Sequence, residues 1–182
     1  MSRPFVIVGA SLAGLRAAEA LRDEGFTGDL TIIGDEPYEP YDRPPLSKQV
    51  LSGWVPADHT ALPRMREVDA EWRLGVAAAG LDVNDRTVRL ADGEEVGYGK
   101  VLIATGVRAV PWFHPDEAAL DGVFTVRGRD DAERLQRRLA AGDVRRVLVI
   151  GAGFTGSEFA SVCRGMDLEV TVIERGIGPL YG

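Results

Sequence analysis

Two glycine-rich turns carry the clearest chemistry in the sequence. Residues 151–156 read Gly-Ala-Gly-Phe-Thr-Gly and follow a short apolar run. Between a strand and a helix, the first glycine permits a tight bend, the second lets the backbone approach a pyrophosphate, and the third lets the helix pack closely on the strand. The helix then directs backbone N–H groups and its positive dipole end at the phosphates. Residues 151–156 are the second of the two turns along the chain, and they predict a dinucleotide site formed by Gly151, Gly153, Phe154, Thr155 and Gly156.

The first turn, residues 9–14, departs from that pattern at one position. It reads Gly-Ala-Ser-Leu-Ala-Gly, so that a serine stands where the second glycine is expected. Serine is small and its hydroxyl could itself contact a phosphate. Either turn alone could be an ordinary tight turn of an α/β sheet, but two turns in matching frames favour two nucleotide sites. The residues assigned to the first site are Gly9, Ser11, Leu12, Ala13 and Gly14.

An acidic residue follows each turn at the distance expected for a ribose acceptor. Glu174 comes 18 residues after Gly156, and Asp35 comes 21 residues after Gly14, with Glu36 beside it to share the role. A carboxylate at this point accepts hydrogen bonds from ribose hydroxyls and repels a 2′-phosphate. The second site is therefore predicted to prefer NAD over NADP, although the neighbouring Arg175 could soften that repulsion.

A predicted strand–helix–strand unit positions each turn, so the chain contains an internal repeat. Continuous apolar runs are typical of strands buried on both faces, and apolar residues three or four apart are typical of helices. The first repeat comprises a strand at 4–9, a helix at 12–22 and a strand at 30–33; the second comprises 146–150, 154–165 and 168–173. A helix starting at Pro44, a strand-rich stretch at 72–105 and a helix at 129–140 lie between the repeats. The pattern predicts an α/β fold.

Composition narrows the class of protein. The chain has 182 residues, a net charge of −7 and one cysteine, Cys163. An acidic chain without a cluster of basic residues has no positively charged surface to attract nucleic acid. No apolar run approaches the length of a membrane span. A lone cysteine excludes a redox-active cysteine pair within the chain, and its spacing in the helix predicts packing. We expect a cytoplasmic protein with no nucleic-acid or membrane partner.

The chain also resembles a known family. The resemblance is carried by both turns, by Pro-Tyr-Asp-Arg-Pro-Pro-Leu-Ser-Lys at 40–48, by Ala-Thr-Gly at 104–106 and by Gly-Phe-Thr-Gly-Ser-Glu at 153–158. These segments are similar to those of the FAD-dependent ferredoxin reductases, flavoproteins that serve cytochrome P450 and ring-hydroxylating oxygenase systems. The resemblance implies a glutathione-reductase-like fold with tandem Rossmann domains, FAD bound by the first repeat and NADH bound by the second.

The resemblance assigns further residues to the cofactors. Lys48 and Glu158 would lie beside the flavin ring, where a lysine charge stabilises the reduced flavin and the glutamate positions both lysine and nicotinamide. Simpler alternatives remain: Lys48 as a solvated helix lysine, Glu158 as an exposed helix residue, and Arg127 as part of a charged helix face. Besides the first turn, the implied FAD contacts are Asp35, Glu36, Arg43, Lys48, Ala78, Thr105, Gly106 and Arg127.

The implied reaction passes electrons from NADH through FAD to a ferredoxin-type iron–sulfur protein. Residues 1–110 would form the first segment of the FAD-binding domain, and residues 111–182 a linker and the start of an incomplete NAD-binding domain. Because a doubly wound sheet needs more strands than these, we expect a truncated fold with exposed apolar surface. The alternative is an inactive fragment that retains at most nucleotide binding. A complete small NAD-binding regulator is the third hypothesis.

Overall fold

The structure, a computed structural model, describes residues 4–180. The chain divides into two compact units: residues up to Tyr41 with Ala61–Val107, and Asp42–Thr60 with the residues from Arg108 onward. The domain ranges predicted from the sequence, 1–110 and 111–182, include residues 1–3 and 181–182, which lie outside the described part. Those ranges stay predictions.

The first compact unit contains one parallel sheet and one antiparallel sheet. The four parallel strands lie in the order β3-β2-β1-β7, and β4, β5 and β6 form the antiparallel sheet. In the parallel sheet, Phe5 of β1 is paired with both Leu30 and Lys100. The elements are β1 (Phe5–Val8), α1 (Leu12–Asp23), β2 (Leu30–Gly34), β3 (Glu71–Leu74), β4 (Ala78–Asp82), β5 (Thr87–Leu90), β6 (Glu95–Gly97) and β7 (Lys100–Ile103).

Both faces of the parallel sheet are covered, as its apolar strands require. On one face, Ile7 and Ile32 pack in a core with Leu15 and Ala18 of α1. The core on the other face joins β1 and β2 to the antiparallel sheet and contains Val6, Val8, Ile33, Val88, Leu90, Val96 and Tyr98. Because β1 and β2 are buried on both sides, the turn that connects β1 to α1 has a rigid base.

The second compact unit is built around a two-stranded parallel sheet. Its core contains Leu51, Leu139, Cys163 and Leu168. Cys163 is therefore a packing residue, as its spacing predicted, and burial raises the pKa of its thiol. The elements are two 3-10 helices (Pro44–Ser47 and Ala57–His59), α2 (Pro115–Ala118), α3 (Arg129–Ala140), β8 (Arg146–Ile150), α4 (Phe154–Gly165) and β9 (Glu169–Ile173).

The predicted α/β class and both strand–helix–strand repeats are confirmed, with one difference near the prolines. The helix predicted from Pro44 is a single 3-10 turn that ends at Lys48, where φ is −127° and ψ is −99°. The N–H of Lys48 donates to the Pro45 carbonyl at 3.0 Å, three residues back. The N–H of Val50 also donates to the Pro45 carbonyl at 3.0 Å, from five residues further on, so the hydrogen bonds at this carbonyl are not those of a regular α-helix. The short α2 was not predicted.

Two kinds of feature are absent from residues 4–180. No helix there is long and apolar enough to cross a membrane. No group of three or more histidine, cysteine, aspartate and glutamate side chains in that range could hold a metal ion.

Candidate functional site

The two glycine turns have the same backbone geometry at their first residue. Gly9 has a φ of +126° and Gly151 a φ of +100°, conformations that glycine adopts without steric cost. The N–H of Gly9 donates to the Ile33 carbonyl and that of Gly151 to the Ile173 carbonyl, each at 2.8 Å. Each first glycine therefore forms the tight bend that its motif predicted.

The third glycine of each turn is required by close packing. A Cβ added at Gly14 would lie 1.9 Å from the carbonyl oxygen of Gly9, and a Cβ at Gly156 would lie 1.9 Å from that of Gly151. Backbone oxygens cannot yield at such a distance, so a side chain at either position would displace the helix from its turn. The start of each helix thus lies directly against the preceding bend.

The middle position of the second turn is different, because nothing in the described part of the chain requires a glycine there. Gly153 has a φ of −71°, which any residue adopts, and a Cβ on it would meet no described heavy atom within 4 Å. Open space in front of a helix start is what close approach of a pyrophosphate needs. At the matching position of the first turn, Ser11 makes no side-chain cap hydrogen bond to α1.

The helix starts offer hydrogen-bond donors. The first backbone bond of α1 runs from the Leu15 N–H to the Ser11 carbonyl, and that of α4 from the Ser157 N–H to the Gly153 carbonyl, both at 2.9 Å. The backbone N–H groups before those donors are left over by helix geometry. Neither helix has an acidic residue in its first turn. Both starts therefore suit an anionic ligand.

The start of α3 provides the contrast. Asp130 and Asp131 occupy its first turn, and the Asp131 carboxylate accepts from the backbone N–H groups of Arg127 and Gly128, each at 3.0 Å. This helix supplies its own anion, whereas α1 and α4 do not. The absence of an acidic residue in the first turn therefore distinguishes α1 and α4 from α3, which is an ordinary capped helix.

Glu174 directly follows β9 and lies against the second turn. Its Oε2 accepts from the Ala152 N–H at 2.7 Å, and its Oε1 accepts from the Gly176 N–H at 2.8 Å. These backbone hydrogen bonds, with that from Ala152 the strongest, lower the pKa of Glu174. A charged carboxylate thus stands beside the predicted pyrophosphate turn, where a ribose acceptor is expected.

The strand register shows that the two acidic residues are not equivalent. Val8 is paired with Ile33 in the first sheet, and Ile150 is paired with Ile173 in the second. The residues that follow Ile33 and Ile173 are Gly34 and Glu174, so Gly34 is the counterpart of Glu174. A Cβ at Gly34 would lie 2.6 Å from the Ala10 Cβ, a fixed obstacle. The acidic residue of the first repeat, Asp35, therefore stands one position further along, which residue counting did not show.

The two acidic residues after β2 have different surroundings. Asp35 is exposed, whereas Glu36 is half-buried and its Oε2 accepts a hydrogen bond from the Tyr41 hydroxyl. Because Glu36 is already tied to Tyr41, Asp35 is the more accessible of the two predicted ribose acceptors.

The structure brings the Ala-Thr-Gly segment to the first turn. A Cβ at Gly9 would lie 2.1 Å from the Ala104 carbonyl oxygen, so the segment after β7 runs against the turn. Thr105 and Gly106 follow and are exposed, and Gly106 has a φ of +67°. Ala78 lies at the start of β4, half-buried against the core that contains Val88.

Lys48 and Glu158, which the resemblance assigned to one site, form an ion pair in the second compact unit. The Lys48 Nζ lies 2.7 Å from the Glu158 Oε2, and both side chains are partly exposed. The Ser47 hydroxyl donates to the same oxygen at 2.5 Å. Hydrogen bonds from Lys48 and then Ser47 lower the pKa of Glu158. Lys48 is therefore not simply a solvated lysine.

Arg43 and Arg127 also meet, through a backbone atom. The Arg43 Nη1 donates to the Arg127 carbonyl oxygen at 3.0 Å. The Arg127 N–H is one of the donors to Asp131 at the start of α3. Arg127 is thus fixed by its backbone, and both arginines belong to the second compact unit.

Ser47 contacts this site although no motif predicted a role for it. It lies beside Lys48 in the segment that carried the resemblance, so its position was a signal. Its residue type was not, because serine hydroxyls most often bond to nearby backbone.

Comparison with known proteins agrees with this architecture. Residues 3–180 match the family described as pyridine nucleotide-disulphide oxidoreductase. The ferredoxin reductase component of chlorobenzene dioxygenase from Cupriavidus sp. (strain PS12) is 38% identical over 180 residues, which are 96% of this chain and 42% of that protein. The ferredoxin–NAD(+) reductase subunit of the benzene 1,2-dioxygenase system from Pseudomonas putida is 35% identical over 182 residues, 97% of this chain and 43% of that protein.

Solved structures lead to the same fold. The ferredoxin reductase for the CYP199A2 system from Rhodopseudomonas palustris is 34% identical, with a TM-score of 0.87 over 98% of this chain and 44% of that one. The chain thus spans about two fifths of the length of the relatives it matches. The resemblance to ferredoxin reductases and the glutathione-reductase-like fold class are confirmed. The chain belongs to the pyridine nucleotide-disulphide oxidoreductase family.

Proposed function

We propose that this chain supplies the FAD- and NADH-binding turns of a flavoprotein that passes electrons to a ferredoxin-type iron–sulfur protein. The observation that carries the proposal is the pair of turns, each with its first glycine at positive φ and each at the start of a helix that has no acidic residue in its first turn. The named relatives are ferredoxin reductases, which supports the same reaction.

The proposed division of labour follows the two repeats. The first turn, with Asp35, would bind the pyrophosphate and ribose of FAD, and the second turn, with Glu174, would bind those of NADH. When bound, FAD supplies the chemistry by which one NADH becomes NAD⁺ and a proton while two acceptors each gain one electron. The other predicted FAD contacts remain predictions: Glu36, Ala78, Thr105, Gly106, Arg43, Lys48 and Arg127.

Lys48 and Glu158 would tune this electron transfer. The Lys48 ammonium places a positive charge where the resemblance predicts the flavin ring, and such a charge favours the reduced flavin. Glu158 holds that ammonium at 2.7 Å. The location we propose for the reaction is the cytoplasm, where the free thiol of Cys163 stays reduced.

The test is anaerobic mixing of the FAD-loaded chain with NADH, followed by loss of the oxidised-flavin absorbance. We expect bleaching by NADH, and a rate at least about tenfold lower in Lys48→Met because a preorganised charge is lost. Lys100→Met is the matched control, since Lys100 is an exposed lysine of β7. A chain that binds FAD but is not bleached by NADH would contradict the proposed reaction and leave nucleotide binding alone.

A further inference from the structure

Two donors from adjacent residues converge on one carboxylate oxygen. The Ser47 hydroxyl lies 2.5 Å from the Glu158 Oε2, and the Lys48 Nζ lies 2.7 Å from the same atom. Ser47 is only 7% exposed, whereas Lys48 is half-buried. The serine contact is thus the one shielded from water, where a hydrogen bond fixes geometry most firmly.

The 3-10 turn explains how neighbouring residues reach one atom. Residues Pro44–Ser47 form that turn, and the chain leaves helical geometry at Lys48. In a continuous helix, adjacent side chains would point in different directions. The break at Lys48 lets its side chain return to the oxygen that Ser47 already contacts.

The hydroxyl of Ser47 has a single hydrogen and two acceptors within reach. The Pro44 carbonyl oxygen is 3.3 Å away and the Glu158 Oε2 is 2.5 Å away. A hydrogen bond to a charged carboxylate is shorter and stronger than one to a neutral carbonyl. The hydrogen therefore points to Glu158, and Lys48 is the charged side chain that acts on this carboxylate within the described residues.

We propose that Ser47 is a positioning residue that fixes the orientation of the Glu158 carboxylate and, through it, of the Lys48 ammonium. With Oε2 held by two donors, Oε1 is the oxygen of Glu158 that we expect to accept from a ligand. The catalytic consequence rests on the proposed function. The hydrogen-bond arrangement does not.

The first test measures the carboxylate of Glu158 directly, by NMR titration of the cofactor-free chain labelled at glutamate side-chain carbons. Ser47→Ala removes one of its two donors, so we expect the pKa of Glu158 to rise toward its ordinary value of 4.5. Ser52→Ala is the control, because the Ser52 hydroxyl donates to the Gln49 carbonyl in the same segment. A pKa of Glu158 that is the same in Ser47→Ala and wild type would overturn the inference.

Two further variants guard against a folding defect. Ser47→Thr keeps the hydroxyl and is expected to restore the wild-type titration. If Ser47→Ala does not fold, Ser47→Cys replaces it, since a thiol of similar shape is a much weaker donor. The pKa of Glu158 in Ser47→Cys should then lie above that of wild type, and an unchanged value would count against the proposal.

The second test separates a positioning role from a merely structural one. In the FAD-loaded chain, Ser47→Ala should slow flavin reduction by NADH about fivefold with NADH affinity unchanged. In a Glu158→Gln background, Ser47→Ala should not slow flavin reduction further, because the carboxylate through which Ser47 acts has already been removed. A full additional effect there would contradict positioning through Glu158. Failure of the chain to bind FAD would defeat the proposed function and leave the titration result standing.

Discussion

The repeats β1–α1–β2 and β8–α4–β9 share their turns but differ in their packing. Both open with a glycine at positive φ and place their third glycine against its carbonyl. They even share an arginine near the helix end, since Arg22 donates to the Phe26 carbonyl and Arg164 to the Leu168 carbonyl. The strands differ: β1 and β2 are buried, whereas Leu148 and Ile150 of β8 are 56% and 58% exposed.

This difference shows which features are local and which depend on neighbours. The bend and the close helix approach recur in both repeats because a few residues within each turn determine them. Strand burial depends on other strands and layers, and the first repeat lies in a four-stranded sheet while the second has two strands. Similar turns therefore form in unlike surroundings.

The largest expected effect comes from the third glycines. Gly14→Ala and Gly156→Ala should each lower the free energy of unfolding by about 3 kcal/mol, because a Cβ there meets a backbone oxygen at 1.9 Å. Chemical denaturation measures the loss. The controls are Gly97→Ala and Gly165→Ala, whose Cβ atoms would enter open space among the described residues. Equal losses in test and control variants would show that the turns do not share this packing constraint.

Glu19 offers a test of a feature that only the first repeat has. This carboxylate on α1 is 3% exposed, and it accepts from Arg16 at 2.6 Å and from the Met65 N–H at 2.7 Å. Glu19→Gln should cost about 2 kcal/mol at neutral pH, because a buried ionic hydrogen bond is lost. Ser161→Ala, at the matching position of α4, should change stability by less than about 0.5 kcal/mol.

The pH dependence of the Glu19 effect has a defined sign. Burial raises the pKa of Glu19, but the hydrogen bonds from Arg16 and Met65 outweigh it, so that the pKa is lowered from 4.5. The carboxylate therefore stabilises the fold above its unfolded pKa and loses that contribution as pH falls through its folded value. Unfolding of wild type and Glu19→Gln across acidic pH should show their difference shrinking. A difference that grows on acidification would contradict this account.

Substitution of Glu174 and Asp35, the acidic residues that follow the two turns, tests whether each repeat binds its own nucleotide. Glu174→Ala should raise the Kd for NADH about tenfold, which corresponds to about 1.4 kcal/mol, and raise that for NADPH much less. Asp35→Ala should weaken FAD binding and leave NADH binding unchanged. Calorimetric titration of each nucleotide distinguishes the variants. Loss of NADH affinity in Asp35→Ala would mean that the two repeats do not bind separate nucleotides.

The smallest effect is expected from exchanging the middle residues of the turns. Gly153→Ser should leave the free energy of unfolding within about 0.5 kcal/mol, since serine is a favourable residue at a helix start. Its side chain would enter the open space in front of α4, so NADH affinity should fall about threefold. Ser11→Gly is the reciprocal variant. A clear loss of stability in Gly153→Ser would show that the protein itself requires that glycine.

Much of this organisation could be predicted from the sequence. The strand–helix–strand repeats follow from apolar periodicity, and the tight bends from glycines at fixed offsets. The offset of Asp35 relative to Glu174 could not be predicted, because loops of unlike length hide the strand register. The contact between Ser47 and Glu158 could not be predicted either, because it joins residues that are far apart in the chain. A serine in a loop shows no sequence pattern from which such a partner could be inferred.

We propose that this chain holds two separate nucleotide sites, FAD at the first turn and NADH at the second. The most direct measurement is sequential titration of the cofactor-free chain, first with FAD and then with NADH. We expect one FAD to bind per chain and one NADH to bind afterwards without displacing it, and we expect Glu174→Ala to weaken only the binding of NADH. Competition between FAD and NADH for a single site, or no uptake of FAD, would contradict it.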